Sequence, residues 1–423
     1  MRKTAARYVD PVVDRAKVAV AIVFFLNGVT FATWVSRIPD ARDRLALTPG
    51  QLGWVLLGLS AGSVLGLPTA GLVVRRLGAR RTVAVAAGVC ALGLVGAGAA
   101  TTVLASVVVL TGCLFVVGFG MGQWDVAMNL HGAVVEQRLG RAVMPRFHAA
   151  FSLGTVAAAL IGSAMAGWRL PIGWHFLVVG ACMVTLVVRG VAGFLPESGT
   201  SHPAAAPGPA HTGGAAHDPV RGPGRRVRSA WTEPRTLGVG LVVLAAAFGE
   251  GTASDWLSVA MVDGYRLPSW AGVLVFTAFL MAMTAGRVVG TGLLDRYGRV
   301  RLLRVLFLTA GVGAALVVVG PLPLAVGGAV VWGVGVSLGF PVGMSAAADD
   351  VELAPARLAV VSTIGYTAFL AGPPLLGFLG DRVGVLRALS VVVVLLVVAL
   401  WAVPSVGPPG PRPGRAAGPS PVG

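Results

Sequence analysis

The sequence is poor in charged residues and in cysteine. Charged residues make up only 12% of its 423 residues, hydrophobic residues make up 56%, and only three residues are cysteine. Soluble domains carry about 25% charged residues, so this composition excludes an ordinary water-soluble domain. Cys90, Cys113 and Cys182 fall inside apolar runs at unrelated spacings, which excludes a disulfide framework and a Cys/His metal site.

Motifs of enzyme chemistry are missing as well. The sequence contains no phosphate-binding loop and no paired nucleophile and base. We therefore expect a protein that is not an enzyme, that binds no cofactor or metal, and that is not an ATP-driven pump. Any solute transport is expected to draw on an ion gradient.

Long apolar runs are abundant. Runs on the order of 20 residues, the length that crosses a bilayer, recur along nearly the whole chain. They are continuously apolar without alternation, which excludes a β-barrel. We predict an all-α membrane protein whose spans 1 to 12 lie at about 17–36, 51–74, 82–100, 103–129, 146–168, 174–194, 237–261, 270–293, 302–320, 322–347, 358–380 and 385–403.

The net charge of +16 is distributed unevenly over the connections between spans. With the N-terminus placed in the cytoplasm, about 24 of the Lys and Arg residues fall on the cytoplasmic side and about 7 on the outer side. This asymmetry follows the positive-inside rule. It predicts a multi-pass protein of the inner (plasma) membrane with both termini cytoplasmic, whose basic residues meet anionic lipid and not nucleic acid.

The two halves of the chain repeat one another. The basic turn from Gly71 to Arg81 after span 2 is echoed from Thr291 to Arg301 after span 8, and Gly118 in span 4 corresponds to Gly333 in span 10. Repeated halves are typical of secondary transporters. We predict six-helix bundles at 1–195 and 236–404, a flexible cytoplasmic linker at 196–235 that is rich in Pro and Gly, and a disordered tail at 405–423.

Twelve spans in two halves, a long middle loop and G-x-x-x-D-R-x-G-like turns resemble the major facilitator superfamily. More narrowly, Asp125-Val-Ala-Met-Asn129-Leu-His-Gly132, followed by Met144-Pro-Arg-Phe-His148, resembles a bacterial branch, the inner-membrane YbjJ type. The resemblance implies the major facilitator fold, with two pseudo-symmetric six-helix bundles. It also implies alternating access around a cavity lined by spans 1, 4, 7 and 10.

The sequence departs from the family pattern in two places. Arg75 stands where the first turn usually carries an acid, which Asp295 keeps in the second. Leu114 stands where proton-driven drug exporters carry an arginine. We expect a gate formed by both turns together with Asp125, which replaces the missing acid unless it instead contacts solute. The gate residues are Gly71, Arg75, Arg76, Gly78, Arg80, Arg81, Asp125, Asp295 and Arg296.

Polar and aromatic side chains at helical spacing suggest a solute site. Such faces suit a neutral polar ligand with an apolar side, such as a sugar, although the same residues could serve only in helix packing. His148 could instead pair with Glu136 or water. The candidate residues are Asn27, Thr30, Phe31 and Trp34 in span 1, Asn129 in span 4, His148 in span 5 and Tyr366 in span 11.

Two carboxylates in span 7 are candidates for proton coupling. Glu250 lies near the middle of the span and Asp255 nearer its outer end, and an ionisable residue at membrane depth is by default functional. The alternative is that Glu250 is a static partner of Arg287. The sequence thus predicts a monomeric, proton-coupled secondary transporter of a small solute. The alternatives are a drug or metabolite exporter and a non-transporting membrane receptor.

Overall fold

The computed structural model describes residues 10–141, 143–196, 229–350 and 352–408, with only the backbone of Thr291. Within these ranges the chain is helical. The helices are Pro11–Val35, Ile38–Leu45, Pro49–Thr102, Val107–Leu139, Met144–Gly167, Ile172–Val191, Pro234–Thr252, Ser258–Tyr265, Ser269–Tyr297, Arg299–Val319, Leu322–Val336, Gly339–Ala347, Ala354–Val383, Val385–Ala388 and Ser390–Ala402. A π-helical turn, Ala253–Leu257, joins two of them, and a 3-10 turn, Val403–Val406, is the last helical element of the described chain.

The structure contains the twelve spans predicted from the sequence. Eleven helical segments of the described chain are long and apolar enough to cross a membrane. One of them, Pro49–Thr102, has 54 residues, which at 1.5 Å per residue is about 80 Å and more than two bilayer cores. It is kinked at Gly78 (φ 80°, ψ 162°), so it supplies both span 2 and span 3.

The turns at Gly78 and Gly298 lie at the same end of the bundle. Gly298 has φ 74° and ψ 160°, nearly the values of Gly78, and a positive φ of this kind favours glycine. The repeat found in the sequence therefore has the same backbone in both halves. We call this end, which carries the arginines of the two turns, the basic end. The other end, which carries Ile38–Leu45, is the opposite end.

Glycines allow spans 2 and 4 to pack closely, and spans 8 and 10 repeat the contact. A Cβ atom on Gly118 would lie 1.9 Å from the carbonyl oxygen of Leu59, and one on Gly333 would lie 2.4 Å from that of Phe279. Small residues at such crossings let membrane helices approach backbone to backbone. The glycines matched between the halves in the sequence thus occupy matching contacts.

Exposed tryptophans mark the two membrane surfaces. Trp54, Trp168 and Trp174 are exposed at the opposite end and Trp401 is exposed near the basic end. Tryptophan concentrates where the apolar core of a bilayer meets the headgroups. These positions therefore fit spans that cross a bilayer between the two ends.

Ion pairs hold the start of span 7 to later spans at the basic end. Arg357 donates to both carboxylate oxygens of Glu233, at 2.5 and 2.8 Å, and Asp349 pairs with Arg235 and Arg299. Burial alone would raise the pKa of the Glu233 carboxyl, but the bonds from Arg357 and from the Thr236 hydroxyl hold that pKa below its usual range.

The predicted linker and tail fall largely outside the described residues. Of the linker at 196–235 and the tail at 405–423, the structure describes residue 196, 229–235 and 405–408. Span 7 begins at Pro234, slightly before the predicted end of the linker. Val406 is buried, because the 3-10 turn continues span 12 and packs beside Gly238 of span 7.

Candidate functional site

An ion pair between Arg42 and Asp263 joins the two halves at the opposite end. Both Asp263 carboxylate oxygens lie 2.6 Å from Arg42 Nη1, so the end of span 7 is tied to the helix that follows span 1. Arg42 also pairs with its neighbour Asp43 at 2.6 Å. The Arg42 side chain is 10% exposed and that of Asp263 is 37% exposed, so the pair is only partly screened by water.

A second polar contact between the halves lies beside it. The backbone N–H of Gly50, in the first turn of span 2, donates to the Asp381 carboxylate of span 11 at 3.0 Å. A carboxylate at a helix N-terminus meets unpaired N–H groups and the positive end of the helix dipole. Next to this contact the helices touch closely, since a Cβ atom on Gly377 would lie 2.6 Å from the carbonyl oxygen of Pro49.

Asp381 belongs to a third copy of the turn, which the sequence analysis missed. Asp381-Arg-Val-Gly384 repeats the pattern of Asp295-Arg-Tyr-Gly298, and Gly384 has φ 84° and ψ 147°. The third copy lies at the opposite end, where it engages the other half of the chain. The shared Asp-Arg-x-Gly pattern was the signal that could have revealed it.

The last polar contact between the halves joins spans 5 and 8. The hydroxyl of Ser163 donates to the backbone carbonyl of Trp270 at 2.8 Å. Every hydrogen bond and ion pair between the halves that the described residues show therefore lies at the opposite end. The structure is closed at that end.

The basic end is open between the two turns. Arg75, Arg76, Asp295 and Arg296 are exposed, and a Cβ atom on Gly71 would meet no atom within 4 Å except its own neighbour Arg75. These predicted gate residues of the two turns are thus accessible to solvent in this conformation. Arg80 and Arg81 are also exposed.

Asp125 faces the space between the halves. Its side chain is exposed although it lies within span 4, and it lies near His148 of span 5 and Tyr366 of the other half. Asn129 Nδ2 lies 3.2 Å from an Asp125 carboxylate oxygen and donates to the Asp125 backbone carbonyl at 2.8 Å. The structure therefore brings together four of the predicted residues, and among the described residues the partners of Asp125 do not include Arg75 or Arg76.

His148 lies at the edge of this space and does not pair with Glu136. Its Nδ1 is 3.0 Å from the carbonyl oxygen of Met144, and its ring centroid is 5.3 Å from that of Phe24. The Glu136 carboxylate instead accepts hydrogen bonds from the backbone N–H groups of Val143 and Met144. Glu136 thus caps the start of span 5 and leaves His148 accessible.

The candidate residues of span 1 largely face the inside of their own half. Thr30 donates to the Met183 sulfur of span 6, and Trp34 is 1% exposed and packs edge-on against Phe176. Asn27 is also buried, whereas Phe31 is half-buried. Thr30 and Trp34 therefore serve helix packing in this conformation, which is the alternative that the sequence left open.

Glu250 forms an ion pair with Arg287 in span 8. The Arg287 Nη2 to Glu250 Oε2 distance is 2.7 Å, and Arg287 Nε donates to the Ser337 backbone carbonyl at 3.2 Å. Pro341 has no N–H, so the Ser337 carbonyl lacks the donor that a regular helix would supply four residues later. Arg287 supplies that donor, and it links span 7 to the break in span 10.

Asp255 lies in the π-helical turn of span 7. The turn runs over Ala253–Leu257, and π-turns of this kind are frequent at functional sites. Asp255 is half-buried, and within the described residues it has no hydrogen-bond or ion-pair partner. The two carboxylates of span 7 therefore have different surroundings: one is paired and the other is not.

Comparison with known proteins agrees with this architecture. Residues 20–373 match the model of the Major Facilitator Superfamily. An uncharacterized transporter of Sinorhizobium fredii is 32% identical over 86% of this chain and 90% of its own length. An uncharacterized MFS-type transporter of Yersinia pestis is 28% identical over 90% of this chain and 93% of its own length.

Solved structures share the fold at low identity. The nucleoside transporter NupG aligns with a TM-score of 0.73 and 14% identity over 92% of this chain and 99% of its own. An inward-facing bacterial homologue of the lysosomal transporter Spinster aligns with a TM-score of 0.72 and 15% identity over 94% of this chain and 98% of its own. The predicted fold is confirmed. Because the family model covers most of the chain and the relatives extend over nearly all of it, this membrane transporter belongs to the major facilitator superfamily.

Proposed function

We propose that the protein carries a small polar solute, sugar-like or of similar size, by alternating access coupled to protons. The observation that carries this proposal is the asymmetry of the two ends. Polar contacts join the halves only at the opposite end within the described chain, while Asp125, Asn129, His148 and Tyr366 face the space that is open toward the basic end. Such a space suits a ligand with several hydrogen-bonding groups.

The orientation in the membrane belongs to the same proposal. The basic end is placed in the cytoplasm because Lys and Arg concentrate there. With this orientation the conformation described above is open to the inside. Solute then binds from the cytoplasm in this state, and the opposite end opens to the outside when the ion pair between Arg42 and Asp263 breaks.

For proton coupling we favour Asp255 over Glu250. The charge of Glu250 is balanced by Arg287 at 2.7 Å, whereas Asp255 has no counter-charge within the described chain. An ionised carboxylate without a partner is costly at membrane depth, so loading a proton on Asp255 removes that cost. The ion pair of Glu250 is then a link between spans 7 and 8 that holds the shape of the C-terminal half.

Transport in liposomes tests the function. Purified protein is reconstituted, a proton gradient is imposed, and uptake of labelled nucleosides and hexoses is measured. This panel is chosen because NupG is a nucleoside transporter, and because FucP, another solved structure with a similar fold, is a fucose:proton symporter of E. coli. Gradient-driven accumulation of one solute class is expected. A protein that binds a solute but gives no counterflow is a receptor, and that result contradicts the proposal.

A pair of variants tests the coupling residue. Asp255→Asn is expected to abolish accumulation against a gradient and to retain solute exchange, because exchange needs no net proton movement. Glu250→Gln is the matched control, and it is expected to retain coupling while lowering thermal stability through the loss of the Arg287 pair. If Glu250→Gln uncouples transport and Asp255→Asn does not, the assignment to Asp255 is wrong.

Asp125 retains the gate role proposed from the sequence, with a test of its own. If Asp125 meets the turn arginines when the basic end closes, Asp125→Asn slows transport but changes solute affinity by no more than a few-fold. If it contacts the solute, affinity falls strongly while the distance between the halves at the basic end is unchanged. Equilibrium binding, together with a spin-label distance across the basic end, distinguishes these results.

A further inference from the structure

Spans 1 and 5 border a groove at the basic end that the transport proposal leaves unused. The groove has a volume of about 390 Å³. Its lining is apolar apart from two cations, and it consists of Lys17, Val18, Ala21, Ile22, Phe25, Val143, Arg146 and Phe147. A groove of this composition can hold a ligand with an apolar body and an anionic head.

The groove opens away from the interior of the bundle. Val18 and Ile22 are 51% and 41% exposed, whereas Val20 and Val23 of the same helix are fully buried against the rest of the N-terminal half. Helical residues that alternate in this way lie on opposite faces. In a bilayer the exposed face of span 1 meets lipid chains, so the groove is accessible from the membrane.

The two cations lie where lipid headgroups are expected. Lys17 is six residues into span 1, about 9 Å along the helix, and a lysine at this depth reaches the interface with its long stem against apolar surface. Arg146 lies in the first turn of span 5 and is exposed, with no hydrogen bond or ion pair to any described residue. Within the described residues, one positive charge at this site is therefore not neutralised.

Two carboxylates, Glu136 and Asp14, lie near the cations and could compete with an anionic ligand for them. Glu136 is occupied, because it accepts the backbone N–H groups of Val143 and Met144. Asp14 pairs with Lys17, and its side chain is 52% exposed. An incoming phosphate therefore competes with Asp14 alone, at a position where water screens the existing pair.

We propose that this groove binds an anionic phospholipid. The phosphate lies between Lys17 and Arg146, and an acyl chain lies against Val18, Ile22 and Phe25. Two basic groups at the interface attract anionic headgroups, and the exposed apolar face supplies the contact that a free phosphate could not use. The bound lipid bridges spans 1 and 5, whose packing holds the basic end of the N-terminal half together.

Lipid binding to the purified full-length protein tests the proposal. Native mass spectrometry in detergent measures binding of phosphatidylglycerol and of phosphatidylcholine with the same acyl chains. We expect phosphatidylglycerol to bind at least ten-fold more tightly. The double variant Lys17→Gln/Arg146→Gln should remove that preference and leave phosphatidylcholine binding unchanged, which also shows that the variant is folded. Asp14→Asn should strengthen phosphatidylglycerol binding, because it removes the competitor.

Two control arms complete the test. Arg15→Gln removes an exposed cation of the same helix that does not line the groove, and it should leave the preference for phosphatidylglycerol intact. Inorganic phosphate should not compete with the lipid. The proposal is overturned if the double variant keeps the preference, if Arg15→Gln abolishes it equally, or if inorganic phosphate displaces the lipid.

Discussion

Breaking the ion pair between Arg42 and Asp263 should shift the protein toward a state that is open at the opposite end. Asp263→Asn removes the charge of Asp263 and keeps the shape of its side chain. The pair joins the two halves with both oxygens 2.6 Å from Arg42 Nη1. Opening this end must separate these groups, so the contact stabilises only the closed state.

The magnitude follows from the partial burial of the pair. Fully exposed pairs contribute about 0–1 kcal/mol, and breaking a buried pair costs about 3–5 kcal/mol. Arg42 is 10% exposed and Asp263 is 37% exposed, and Arg42 keeps Asp43 as a partner after the change. We therefore expect about 1–2 kcal/mol, which corresponds to a shift of about 5- to 30-fold in the population ratio.

Pulsed electron paramagnetic resonance between spin labels at Leu104 and Val319 measures this ratio. Both positions are exposed at the opposite end, one in each half. Asp43→Asn is the matched control, because it also removes a carboxylate from Arg42 but lies in the same half. The reasoning fails if Asp263→Asn leaves the distance distribution unchanged, or if Asp43→Asn shifts it equally.

Three further predictions concern packing, pH and topology. Gly118→Ala should lower the free energy of unfolding by about 1–3 kcal/mol, because the new Cβ would lie 1.9 Å from a backbone oxygen. Gly112→Ala is the control, because Gly112 has open space around it. Thermal unfolding compares the two variants, and equal effects would contradict the packing account. The pKa of Glu233 is lower in the folded protein than in the unfolded chain, so its ion pair contributes stability above the unfolded pKa of about 4.3. That stability is lost as the pH falls through the folded pKa. In melting curves measured at several pH values, Glu233→Gln should therefore reduce the fall in melting temperature at acidic pH. A cysteine placed at Ser201 should react with an impermeant reagent from the cytoplasm, and one placed at a residue near Asp263 should react from outside. Labelling of both from outside would contradict the orientation.

The spans and the repeat could be predicted from the sequence because their signals are local. An apolar run long enough to cross a bilayer is rare in water-soluble domains, and a glycine with positive φ between two runs marks a tight turn. Gly78 and Gly298 were therefore predictable as equivalent turns. Gly118 and Gly333 were also predictable as a match, because both lie at corresponding places in the repeat. The structure places both at close helix crossings.

The sequence predicted which residues share a helix face, but it did not predict what that face packs against. Helical spacing placed Thr30 and Trp34 on one stripe, but spacing does not say whether that stripe faces the cavity or the neighbouring span. The structure turns both residues toward span 6. For Asp125, a position near a span end suggested arginine partners, but its neighbours in the structure are His148 of span 5 and Tyr366 of the other half.

Contacts between the halves escaped the sequence because they join residues far apart in the chain. Arg42 and Asp263 are separated by 221 residues, and Gly50 and Asp381 by 331. Charged residues at span ends also act as topology signals. The sequence alone therefore does not reveal which of them form contacts between the halves. For Asp381 a pattern was available, since it repeats the acid of the second turn, and the structure gives that acid a partner in the helix N-terminus of the other half. Asp295 has the same chemistry at the basic end, where it is exposed while that end is open. One short motif thus supplies an acid at both ends of the bundle, Asp295 at the basic end and Asp381 at the opposite end.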